Sequence, residues 1–212
     1  LSAEIMDSLK PHLKLAETLG LLVSQISGGQ IQKLEVRLQG EFAQHPSQPL
    51  VIATLKGLLT SALGDKINYV NASLEAKGRG IDVVEIKDEL SPEFARGSLR
   101  LDSFSDKGGH SVSGTVFGDG DLGITSIDEY PINFVPSRHM LFTRHRDMPG
   151  IIGQIGSLLG KHNVNIASMR VGRRIVRGEA VMVLSIDDPI PSELLGSILS
   201  MQGINEAHSV TL

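Results

Sequence analysis

Apolar residues recur at three- and four-residue steps near the start of the chain, at Ile5, Leu9, Leu13, Ala16, Leu19 and Val23. That spacing gathers side chains on one face of a helix. It predicts a helix of about twenty residues, with Pro11 as a break or restart and Ser27-Gly28-Gly29 as its end. The pattern then shortens to the near-alternation of a strand at Ile31, Leu34, Val36 and Leu38, stopped by Gly40. A loop carrying Pro46 and Pro49 leads to a second helix over Val51 to Leu63, halted by Gly64. After a unit from Asn68 to Lys77, closed by Gly78 and Gly80, strands are expected in turn. They fall at Ile81 to Ile86, at Leu99, Leu101 and Phe104, at Val112 to Val116, and at Ile124, Ile127, Tyr130 and Ile132. Gly118-Asp119-Gly120-Asp121 reads as a tight turn between the last two. Residues 1–135 therefore predict a mixed α/β domain with a small antiparallel sheet.

Prolines at 131 and 136 mark a boundary, and the pattern beyond it is cleaner. Met140 to Thr143, Val164 to Val171, Glu179 to Ile186 and Ala207 to Leu212 read as strands. Ile151 to Leu159 and Leu194 to Leu199, the latter begun by Pro191, read as helices. The order is βαββαβ, a ferredoxin-like module over 136–212, so the chain as a whole is α+β. Two helices cover one face of such a sheet and leave the other to be covered, which leads us to expect self-association.

Charge divides unevenly: residues 1–135 carry 12 basic and 18 acidic side chains, and 136–212 carry 8 and 6. With so acidic a first domain, and two Tyr, six Phe and no Trp for stacking, nucleic-acid binding is not expected. There is no cysteine, so thiolate metal sites and disulfides are excluded and stability must come from packing. Every hydrophobic run is short or broken by charge, and the first residues lack a leader-like pattern. No membrane association and a cytoplasmic location are the expectations. The seven histidines show neither His-Glu-x-x-His nor His-x-His spacing, so no metal is expected either.

The most informative segment is His145-Arg146-Asp147-Met148-Pro149-Gly150, between the first strand and first helix of the second module. Free N–H groups of Ile151, Ile152 and Gly153 at the helix start can receive a carboxylate, and Gly150 lets a ligand approach. Asp147 has two competing roles, helix cap or partner of an ammonium. Asn165, expected across the sheet edge from this loop, is either a ligand-binding amide or the end of a turn begun at Asn163. Together these groups suit a zwitterion such as an amino acid. Arg170, Arg173, Arg174 and Arg177 form either a solvated hairpin or an anion-binding surface. Gly153 and Gly156 lie inside the helix and are expected to permit close packing. For Asn68 and Asn71, capping outranks ligand contact.

These residues carry a resemblance. Pro11 to Gly20 resemble the entry helix that follows the catalytic region in long-type D-3-phosphoglycerate dehydrogenases, and Val70-Asn71-Ala72 with Ala76 to Ile81 resemble their intervening domain. Asp147 to Gly153 and Asn163 to Ala167 resemble the ACT domain, the amino-acid-sensing module of the same family. The resemblance implies a regulatory region that binds L-serine between paired ACT domains. The site residues carried over are His145, Asp147 and Asn165, with the backbone of Gly150, Ile151 and Ile152. The family often has Asn where Asp147 stands; Asp accepts from an ammonium but cannot donate to a carboxylate. The resemblance further implies partner catalytic domains upstream that use NAD. No catalytic residue and no cofactor-binding motif is expected within these 212 residues. An oligomerisation module without effector binding is the alternative.

Overall fold

The computed structural model describes residues 3–88, 97–118 and 120–212, with side chains from Leu9 onward. The side chain of Ile5 and the turn residue Asp119 lie outside the described residues. Two compact units emerge, Leu1–Glu129 and Tyr130–Leu212.

In the first unit, α1 (Ala3–Ile26) runs unbroken through Pro11. Its continuity follows from packing: Leu9, Leu15, Ala16, Leu19, Leu22, Val23 and Ile26 are all buried, enough to outweigh one missing backbone bond. Strand β1 (Ile31–Gln39) and a single helical turn, α2 (Glu41–Gln44), follow. Helix α3 spans Ser47–Leu63. It starts four residues before the apolar pattern does, because Pro46 sits at its N-cap and Pro49 in its first turn, where no N–H is needed. A 3-10 turn at Gly64–Lys66 and α4 (Ala72–Gly78) lead to β2 (Asp82–Asp88). Asn68 and Asn71 brace the entry to α4: Asn68 Oδ1 accepts the Val70 N–H at 2.8 Å and Asn71 Oδ1 accepts the Asn68 N–H at 2.8 Å.

Strands β3 (Ser98–Ser105), β4 (Gly108–Val116) and β5 (Leu122–Ile127) complete a sheet ordered β2-β1-β3-β4-β5. It is mixed and not wholly antiparallel, since β1 pairs with β2 in parallel and with β3 antiparallel. The long crossover through α2, α3 and α4 is what a parallel pair requires. The apolar run ending at Ile132 is not one strand. Asp128 and Glu129 adopt φ of 50° and 65°, which turns the chain between β5 and β6 (Tyr130–Phe134).

Helices α1 and α3 touch backbone to backbone. A Cβ on Gly20 would stand 2.1 Å from the Thr54 carbonyl oxygen, and one on Gly57 would stand 1.9 Å from that of Glu17. Lys56 pairs with Glu17 across the same contact, and the Tyr69 hydroxyl donates to Glu17 at 2.7 Å.

The second unit carries β7 (His139–Arg146), α5 (Ile151–Lys161), β8 (Ile166–Arg173), β9 (Glu179–Ile186), α6 (Ser192–Leu199) and β10 (Ile204–Thr211). Its sheet is ordered β10-β7-β9-β8, every pair antiparallel. Leu141, Met182, Leu184, Ile151, Ile155, Leu159, Leu194 and Ile198 form the core under the helices. The other face does not lie open as the pattern predicts. Met140, Phe142, Val181 and Val183 are buried on it, and within this unit β6 packs over Gly172. Gly153 and Gly156 do not serve close packing either, as a Cβ on each would meet nothing within 4 Å. Among the described residues no helix is long and apolar enough to cross a membrane.

These contacts predict opposite effects of one methyl group. Gly57→Ala lowers unfolding stability by about 1–3 kcal/mol, since the Glu17 backbone cannot yield. Gly156→Ala raises it by about 0.5–1 kcal/mol by restricting the unfolded chain. Urea unfolding of both variants checks this, and equal effects would contradict the packing described.

Candidate functional site

The loop after β7 is anchored on two sides. Arg146 donates its N–H to the Gly203 carbonyl at 2.7 Å, and Asp147 donates its own to Gly178 at 2.8 Å. Gly150 then takes φ 92°, a left-handed value that suits glycine, and becomes the N-cap of α5 without a side-chain cap. The first-turn N–H groups of α5 are therefore left with no capping side chain.

Asp147 does not cap the helix. Its Oδ2 accepts from Arg173 Nη1 at 2.8 Å and from the Arg177 N–H at 3.3 Å. The Arg173 hydrogen bond first, and then the Arg177 backbone, hold this carboxyl below its usual range. Arg177 stands at φ 63° in the β8–β9 turn, so the arginine cluster is partly organised around Asp147 and not simply solvated.

A cleft of about 790 Å³ opens on one side of the loop, lined by Arg146, Asp147, Met148, Glu179, Gly203 and Asn205 among others. A second, of about 340 Å³, is lined by Asp147, Gly150, Ile152, Arg173 and Val176. Ile152 is 43% exposed beside it, whereas the Ile151 side chain is buried in the core and its N–H, expected to be free, donates to the Met148 carbonyl at 3.4 Å. His145 is buried on the helix-covered face, its Nδ1 3.3 Å from Thr143 Oγ1. Burial holds its imidazole below the ordinary value, with the Asp147 charge pulling the other way.

Asn165 is not near this loop within one chain. Because β7 and β8 both run antiparallel to β9, they run parallel to each other. The end of β7 therefore lies at the Arg173 end of β8, and Asn165 precedes the far end, roughly 23 Å away at about 3.3 Å per residue. There its Nδ2 donates to Asp187 Oδ2 at 2.8 Å. The expectation that Asn165 faces the loop across the sheet edge fails inside a single copy for this topological reason.

Sequence reasoning missed the α6–β10 turn with Gln202 and Gly203, and Glu179, as cleft residues. Gly203 at φ 92° follows a helix end, a signal for a turn but not for where the turn lies.

Asp147 adds stability above its ordinary value of 3.8 that is lost as the pH falls through its lower folded value. His145, neutral when buried, adds stability above 6.5 that is lost as the pH falls from there through its folded value. Stability is accordingly expected to decline as the pH falls below about 6.5, and His145→Gln should flatten the first part of that decline. An unchanged slope in urea unfolding would count against the burial of this ring as its cause.

Two family models match the chain. One, described as the D-3-phosphoglycerate dehydrogenase intervening domain, covers residues 8–128, and the other, the ACT domain, covers residues 139–204. A D-3-phosphoglycerate dehydrogenase of Synechocystis sp. is 55% identical over 213 residues, 100% of this chain but 38% of that protein. The enzymes of that name from Methanocaldococcus jannaschii and Archaeoglobus fulgidus are 35% and 38% identical, over 99% and 96% of this chain and 39% of each relative. The chain thus spans well under half the length of the curated relatives it matches.

Proposed function

We propose that this chain, which belongs to the D-3-phosphoglycerate dehydrogenase family and corresponds to its intervening and ACT regulatory region, senses L-serine at a site shared by two copies. It would do so for an NAD-dependent dehydrogenase whose chemistry lies in the parts of the relatives this chain does not span. The observation that carries the reading is that Asp147 sits beside one end of the edge strand β8, bonded to Arg173, while Asn165 stands at the other end.

Strand β8 ends its sheet. Ala167, Ser168, Arg170, Val171 and Arg173 along it are exposed, so its outer backbone groups are available to another strand. Two β8 strands paired antiparallel about a two-fold axis bring residue 166 of one opposite residue 173 of the other. The neighbour's Asn165 then arrives beside Arg173 and Asp147. Exposed Ile152, Val171, Ile175 and Val176 around the same edge supply apolar area for the contact.

In the completed site the uncapped start of α5 and Arg173 receive the carboxylate of serine. Asp147 receives its ammonium on Oδ1, since both of the bonds described above fall on Oδ2. Asn165 of the second copy donates or accepts at the hydroxyl. Serine then binds the paired state and not the separate one, and that difference in affinity is the whole of its leverage on the enzyme.

Calorimetric titration with L-serine tests this. Asp147→Ala and Asn165→Ala should each weaken binding by about tenfold or more, as expected for losing a charge-assisted or buried hydrogen bond. An equimolar mixture of the two variants should regain a fraction of wild-type sites, because one site of each mixed dimer is intact. No heat with the wild-type chain would leave a pairing module without an effector.

A further inference from the structure

The first unit contains a cluster that the serine reading does not use. Helix α1 carries His12 and α2 carries Glu41, with His45 as the C-cap of α2 one helical turn after Glu41. One ligand atom from each of these side chains lies within 4.8 Å of the others. The His12 and His45 rings stand 4.5 Å apart, tilted by 55°, and the buried Phe42 ring braces His12 edge-on at 4.7 Å. We propose that His12, Glu41 and His45 form a binding site for a divalent transition-metal ion of the zinc class, open to the cleft beside it.

Three observations support this independently of one another. The His45 Nε2 is buried and has no hydrogen-bond partner among the described residues. A buried ring nitrogen in that condition is costly, and a metal ion satisfies its lone pair. Two imidazoles and a carboxylate are the donor set of three-ligand zinc centres, whereas magnesium and calcium call for oxygen. Finally, a cleft of about 630 Å³ is lined by Pro11, His12, Glu41, Val116, Phe117 and Gly120, so a fourth position faces solvent, where water or an anionic ligand can enter. Two rings merely stacked for packing would need neither the carboxylate nor the opening.

The spacing rules that look for paired histidines on one helix cannot see this site. Its ligands come from two helices separated by β1, and only the chain's return after that strand brings them together.

The test uses the whole chain without a histidine tag, stripped by a chelator and titrated with Zn2+ against a chromophoric competitor. One ion per chain is expected, and Glu41→Gln and His45→Gln should each weaken binding by about tenfold or more. Co2+ in place of Zn2+ should give a strong visible absorption band that both variants lose. Glu41 is exposed, so its variant should keep the fold, as circular dichroism will show, and it decides the matter even if His45→Gln destabilises the unit. Failure of the wild-type chain to take up Zn2+, or equal affinity in Glu41→Gln, overturns the proposal.

Discussion

Strand β9 pairs antiparallel with β7 on one side and with β8 on the other, from Glu179 to Ile186. This pairing makes β7 and β8 parallel and leaves β8 as one edge of the sheet, with β10 as the other. It sets the loop of Asp147 at one corner of the sheet and Asn165 at the opposite corner of the same edge strand. In the site proposed above, two-fold pairing along that edge is what would bring the two corners together. Val181, Met182, Val183 and Leu184 are buried on both faces of β9, as suits a strand flanked on each side by another.

The first unit depends on a different constraint, the closeness of α1 to α3. Gly20 and Gly57 let the helix backbones meet, while Leu15 and Leu19 of α1 reach Gly114 on β4 and His12 stacks against Phe42 of α2. On the sheet, Lys33, Glu35, Arg37, Asp102 and Arg100 form a chain of ion pairs across β1 and β3. Such partly exposed pairs set register more than they add stability. Glu35 sits below its usual value, first through its bond from Lys33.

Much of the second unit was legible because its cues are local. Periodicity marked every element from β7 to β10, and Glu179–Ile186 even to its ends, but not β6. The loop from His145 to Gly150 stood out for the same reason, as did the start of α5. What periodicity could not convey was partnership across distance. Nothing local indicates that β7 and β8 run parallel, and so that Asn165 of the same chain lies far from the loop. Nor does local sequence reveal that Arg173 ties down Asp147 or that Pro131 and Ile132 cover Gly172. In the first unit, Asp128 and Glu129 break a run of apolar residues with two left-handed conformations that glycine-based turn rules do not foresee. The open glycines of α5 and the tight ones of α1 and α3 look alike in sequence, and only packing tells them apart.

The claim on which the regulatory account rests is that two copies join along β8. The chain has no cysteine, so a single one introduced at mid-strand reports directly on that contact. Under mild oxidation Arg170→Cys should form a disulfide-linked dimer rapidly, while Ser197→Cys, on α6 away from the edge, should not. A monomeric Arg170→Cys chain, or equal linkage in both variants, would contradict pairing through β8.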